Sequence, residues 1–127
     1  MELLLDTHAF LWWLADDPRL GPRTREAIAA PGNEVFVSAA TAWEIAIERA
    51  SGALEAPGEI AEWLEQAAFS ALPVEVAHVV AAAGLTKHYN EPFDRLLVAQ
   101  AQLEKLTLVT RPDDVAAYDV RVLDLTT

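Results

Sequence analysis

The sequence predicts an α/β domain: a mostly parallel sheet of four to five short strands with helices on both faces. Three observations carry that prediction. Short apolar runs alternate with amphipathic or proline-started helical segments along the whole chain. The first run, Leu3-Leu4-Leu5, is apolar at consecutive positions, as a strand buried on both faces must be; a strand with one wet face would alternate. The chain has 127 residues and no repeat, low-complexity tract or linker, which fits one domain over residues 1–127 with room for a proper core.

The elements follow in order. The strand at residues 3–5 passes directly into Asp6-Thr7-His8 and an apolar helical run to Leu14, stopped by the turn-forming Asp16-Asp17-Pro18. Pro22 opens a second helix over residues 23–30, ended by Pro31-Gly32. Val35-Phe36-Val37 makes the second strand, and Ser38 N-caps a helix that runs to Ser51-Gly52. On that helix Thr41, Glu44, Glu48 and Ser51 recur at intervals of three, four and three and so form one polar stripe. Most other positions are Ala, Ile or Trp, a pattern that predicts a helix buried over most of its circumference, its stripe facing solvent or a cleft.

Residues 59–68 read as an amphipathic helix with Ile60, Trp63, Leu64 and Ala67 inward, residues 69–74 as a third strand, and residues 76–85 as an alanine-rich helix. His78, among apolar neighbours, reads as a packed core histidine, and His88, in a polar turn, as exposed. Pro92 starts a helix over residues 93–105, Leu106-Thr107-Leu108-Val109 is the fourth strand, and a short helix to Tyr118 and a last strand at residues 121–125 complete the order.

Composition narrows the chemistry. Cysteine is absent, which excludes disulfides and thiolate metal sites. No apolar run is long enough for a bilayer, and Glu2 and Asp6 bracket the early apolar run where a secretory leader would need a basic start, so a cytoplasmic protein without membrane contact is expected. Twenty acidic and nine basic residues give a formal net charge of −11, the opposite of a nucleic-acid binder that works by neutralising phosphates with its own surface. Such a charge remains compatible with a basic partner, or with divalent cations gathered by carboxylates.

Acids stand at four places where an α/β sheet builds sites. Asp6 ends the first strand, Glu44 lies on the polar stripe, Asp94 is in the first turn after Pro92, and Asp113-Asp114 follow the fourth strand. Each has a structural explanation taken singly. Asp6 reads equally as a helix cap, Asp94 and Asp113 as acids favoured at a helix start, and Glu44 as a solvated side chain. Gathered on one rim they would repel unless a cation lay between them, and an all-oxygen donor set suits Mg²⁺ or Mn²⁺. A hydrated ion there is equipment for phosphodiester hydrolysis, and it would supply the positive charge that the surface lacks.

With these residues assembled, the chain resembles the PIN-domain ribonucleases, specifically the VapC-type toxins of toxin–antitoxin pairs. The carriers are Leu3-Leu4-Leu5-Asp6-Thr7-His8 with Leu11-Trp12-Trp13-Leu14; Val37-Ser38-Ala39-Ala40 with Trp43-Glu44-Ile45-Ala46-Ile47; Pro92-Phe93-Asp94-Arg95-Leu96-Leu97-Val98-Ala99-Gln100-Ala101; and Leu106-Thr107-Leu108-Val109-Thr110. The resemblance implies an α/β/α sandwich, a Mg²⁺-dependent endoribonuclease (Mn²⁺ as a substitute), an RNA substrate, a cognate antitoxin that occludes the site, and commonly a homodimer. Asp6, Glu44 and Asp94 match the family's metal-binding and catalytic acids, and Thr110 matches its hydroxyl position beyond the fourth strand, with Thr7 as a further hydroxyl behind the acids.

Two positions depart from the family pattern. An acid usual two residues after Thr110 is Pro112 here, which makes Asp113 the candidate replacement; and Glu48 stands where relatives often carry a basic residue. Arg95 is the principal candidate for touching RNA, with Arg19, Arg23 and Arg25 as others. Haloacid-dehalogenase phosphatases would need a second Asp where His8 stands, and receiver domains a Lys that Thr110-Arg111-Pro112 does not offer. The alternative from a different class is a catalytically weak or inactive PIN-domain protein that only binds its antitoxin.

Overall fold

A computed structural model of the chain describes residues 1–85 and 92–127. The turn holding His88 lies outside the described residues. The elements run β1 (Glu2–Leu5), α1 (Thr7–Leu14), α2 (Pro22–Ala29), β2 (Glu34–Ser38), α3 (Ala39–Ala50), α4 (Ile60–Ala67), β3 (Ser70–Leu72), α5 (Val76–Gly84), α6 (Pro92–Glu104), β4 (Thr107–Thr110), α7 (Pro112–Val115) and β5 (Val122–Asp124). The expected order of elements holds throughout. The third strand is shorter than predicted, and the last helix ends at Val115 instead of continuing to Tyr118.

The sheet has the order β3-β2-β1-β4-β5, with every neighbouring pair parallel. The leucine triplet explains its centre. Leu3 and Leu5 point into one core with Phe10, Trp12, Ile28 and Val37, while Leu4 points into a second with Leu97, Val98, Leu108 and Val115. All three leucines are completely buried. At roughly 1.5–3 kcal/mol for each buried side chain, this triplet is a principal anchor of both layers. The cores lie on opposite faces of the sheet, which makes the architecture an α/β/α sandwich.

The order reverses between β1 and β4. Chain leaving β1 crosses to one side through β2 and β3, and chain arriving at β4 continues to the other, so the carboxyl ends of β1 and β4 flank the place where such sheets open a crevice. Asp6 and Thr110 stand at those two ends.

His78 is a core histidine, as the sequence indicates: its Nδ1 accepts from the Glu75 amide at 2.9 Å and its Nε2 meets Glu104 at 3.0 Å. The reading of α3 needs correction. Only Ala40, Thr41 and Ile45 of that helix are buried, while Trp43 and Ile47 are exposed. The reason is that α3 bridges α1 and α6, through a Thr7–Glu44 hydrogen bond and an edge contact between Trp43 and Phe93, and among the described residues no further layer lies over its outer apolar side.

Two backbone positions give opposite expectations. Gly21 has an ordinary φ, but a Cβ there would stand 2.2 Å from the Thr127 carbonyl carbon and 2.4 Å from the Thr126 oxygen, so Gly21→Ala is expected to cost about 1–3 kcal/mol. Ala68 closes α4 in the left-handed region at φ 59°, so Ala68→Gly is expected to gain about 0.5–1 kcal/mol. Urea denaturation of both variants checks the pair; a stabilised Gly21→Ala would contradict the close approach.

Candidate active site

Asp6 is held from three directions. Its amide continues the β1–β4 ladder by donating to the Val109 carbonyl at 3.0 Å. One carboxylate oxygen accepts from the Ala9 amide at 2.7 Å, capping α1, and the other accepts from the Thr110 hydroxyl at 2.6 Å. Capping and site membership are therefore one arrangement. The side chain is buried, and burial raises its pKa above the usual carboxylate value against the lowering effect of Thr110, Ala9 and the nearby His8; Asp114 raises it further.

Around Asp6 opens a cleft of about 220 Å³, lined by Thr7, Glu44, Glu48, Asp94, Arg111 and Asp114, with His8 and Leu11 at its α1 wall. The two acids of the α3 polar stripe face this cleft, while Thr41 is buried and Ser51 exposed: Glu44 accepts a hydrogen bond from the Thr7 hydroxyl, and Glu48 stands one turn further on. Three chain segments distant in sequence thus bring Asp6, Glu44 and Asp94 to one crevice.

Two expected site residues lie elsewhere. Asp113 is exposed outside the lining, and Asp114 takes its place. Pro112 is the first residue of α7, and the turn of about 100° per helical residue separates Asp113 from Asp114, which faces the cleft. Arg95 is turned from Asp94 in the same way and lines a different cavity, with Val79, Ala82, Ala83, Pro92 and Leu96. Of the other candidate arginines, Arg19 closes on Asp17 at 2.7 Å and Arg25 on Asp16 at 2.6 Å. Arg19 holds the Asp17 carboxyl down at about 2. Arg111 is a lining residue that the sequence reading did not single out, and Asp114 one that it named only beside Asp113; the available signal was their position directly after the fourth strand.

A model of the PIN-domain family matches residues 3–121. The chain belongs to the PIN-domain family. Its sequence is 30% identical over 112 residues to ribonuclease VapC22 of Mycobacterium tuberculosis, covering 86% of this chain and 85% of that protein. The fold is similar to VapBC2 of Rickettsia felis, solved bound to a DNA fragment from its promoter (TM-score 0.68, 13% identity, covering 97% of this chain and 98% of the other). It is equally similar to a toxin–antitoxin complex from Klebsiella pneumoniae (TM-score 0.68, 20% identity, 96% of each chain).

The donors of this PIN domain suit the divalent ion that the family implies. Every acid in the cleft offers hard oxygen ligands, and the buried Asp6 carboxylate has no cationic partner within ion-pair distance among the described residues. Among those residues no three acidic or imidazole groups are drawn together closely enough to share one ion directly. Mg²⁺ held through one or two carboxylates and its own waters meets that condition, because it gives up its hydration shell reluctantly.

The strain of burying Asp6 is testable. Its folded pKa is raised, so the ionised form destabilises the fold; that penalty is fully present above the folded pKa and disappears as pH falls toward the ordinary value of 3.8. Asp6→Asn keeps an acceptor for the Ala9 amide and is expected to melt at or above the parent temperature at pH 7 without divalent ions. The difference should shrink toward pH 4. A variant that melts well below the parent at pH 7 would contradict the burial penalty.

Proposed function

We infer that this PIN domain is a Mg²⁺-dependent endoribonuclease, with Mn²⁺ as a substitute, that serves as the toxin of a toxin–antitoxin pair. The observation that carries the reading is the convergence of Asp6, Glu44, Asp94 and Asp114 on one cleft at the reversal point of the sheet. Similarity to a protein named as a ribonuclease, and to chains solved in toxin–antitoxin complexes, supports it.

When bound, the ion supplies a polarised phosphate oxygen and a water acidified toward neutral pH. The chain supplies the rest. Asp6 is the most rigid ligand, because Ala9 and Thr110 fix both its oxygens; Asp94 and Asp114 would complete the hold from α6 and α7. Thr7 orients Glu44, which is then placed to accept a proton from the attacking water. Glu48 adds a carboxylate where a basic side chain would have met RNA directly.

Two surface features support the proposed protein partners. An apolar groove lined by Leu11, Trp13, Leu14, Leu54, Trp63 and Ala67 shares Leu11 with the cleft, so an antitoxin segment lying in it would reach the acids. Exposed Trp43 and Ile47 on α3 and Val76, Val79 and Val80 on α5 support a homodimer. No helix among the described residues is long and apolar enough to cross a membrane, and we take the cytoplasm as the site of action.

Purified protein is expected to cleave single-stranded RNA with Mg²⁺ or Mn²⁺ and to stop when the ion is chelated. Asp94→Asn should lower the rate by roughly a hundredfold or more. Equal cleavage by wild type and variant would identify a contaminant. Pro112, Glu48 and the spacing of the acids favour a second reading, a chain that binds its antitoxin and cleaves weakly or not at all; metal-independent silence of pure protein would support it. Separately, Asp114→Asn is expected to weaken Mn²⁺ binding measured by calorimetry, and Asp113→Asn to leave it unchanged. The reverse order would return the fourth acid to Asp113.

A further inference from the structure

An acidic cleft repels the phosphates on either side of the bond to be cut, and one ion answers only the charge next to it. The basic residues of the chain are mostly committed elsewhere. Arg19 and Arg25 are in ion pairs with Asp17 and Asp16; Arg49 donates to the Gly58 carbonyl at 2.9 Å and lies over the Trp63 ring. Arg95 lines the α5–α6 cavity, Lys105 and Arg121 line another beside β5, and Arg23 is exposed on α2. Among the described lysines and arginines, only Arg111 lines the carboxylate cleft.

Its setting is specific. Arg111 directly follows β4, with extended backbone at φ −77° and ψ 121° as the cap of α7, so its position is fixed by the same strand that presents Thr110 to Asp6. Its guanidinium carbon lies 5.7 Å from the centroid of the Trp12 ring, and Trp12 is itself buried. Contact with that ring restrains the planar group without consuming its N–H donors. In a cleft holding Asp6, Glu44, Glu48, Asp94 and Asp114, the group forms no ion pair among the described residues. A guanidinium held by a ring face and not closed onto a carboxylate has its fork of donors available to an incoming oxyanion.

We propose that Arg111 grips the phosphate oxygens of the RNA strand lying in the cleft, with Trp12 holding its guanidinium in place; this rests on the ribonuclease reading above. Arg111 is then the specific cationic contact of a protein that is otherwise strongly acidic, and its grip is bidentate, which lysine cannot reproduce.

The test is binding of a short, fluorescein-labelled 2′-O-methyl RNA, followed by anisotropy at fixed Mg²⁺ over a series of KCl concentrations. Arg111→Gln retains a polar stem beside Trp12 and removes the charge. It is expected to weaken binding about tenfold and to reduce the slope of log affinity against log salt by about 0.7, the loss of one phosphate contact on a single strand. Arg111→Lys should recover the slope but only part of the affinity. Arg121→Gln, the same charge change outside the cleft, should leave both nearly unaltered. Equal losses in Arg111→Gln and Arg121→Gln would reduce the effect to overall charge and overturn the proposal, as would unaltered binding by Arg111→Gln. Wild-type protein that binds no RNA would overturn the ribonuclease reading and this inference with it.

Discussion

The hydrogen bond from Thr110 to Asp6 joins the carboxyl ends of the two strands between which the strand order reverses. Much else depends on it. It fixes the acid at the floor of the cleft, satisfies a buried hydroxyl, and sets where the chain leaves β4, and so where Arg111 and Asp114 stand. The capping bond from Ala9 completes the hold and makes the start of α1 part of the same unit. An acid in that position is expensive: burial pushes its pKa up, and the two hydrogen bonds only partly offset the loss of water.

That cost fits the proposed metal site. Carboxylates crowding one crevice disfavour one another's ionised forms, and a divalent ion relieves the burial and the repulsion together. Stability given up at a functional site is a common pattern, and here it is concentrated in a side chain whose surroundings are otherwise well packed. On the proposed function, the net charge of −11 would then not contradict a polyanionic substrate. What would matter to such a substrate is the charge met inside the crevice, where Arg111 stands and where the proposed ion would add its own, more than the average over the surface.

The arrangement also links the site to its surroundings. Trp12 lies in the main core and also meets Arg111 and Arg19, so packing on one face of the sheet supports the wall of the cleft. Leu11, one residue earlier, belongs to both the cleft and the apolar groove beside it. A partner seated in that groove could thus act on the cleft without a separate conformational step. Similarly, α3 gives Glu44 and Glu48 to the site while presenting Trp43 and Ile47 outward.

By itself the sequence determined the order of elements, the parallel sheet and the identity of its central strand. Those depend on local periodicity, capping and proline or glycine punctuation, which act within a few residues. It also marked Asp6, Glu44 and Asp94, through strand ends, a polar stripe and a family pattern that covers nearly the whole chain. Tertiary structure decided what spacing cannot encode: which way each side chain turns once a helix has been docked. A single residue's rotation on a helix placed Asp114 in the cleft and Asp113 outside it, and sent Arg95 away from Asp94. Whether α3 would bury its apolar side depended on which layers reached it, and Trp43 and Ile47 stay exposed. Arg111 was unremarkable as a residue type in a turn. It became the cation of the cleft because β4 aims it past Trp12, a contact between residues 99 positions apart that no local pattern records.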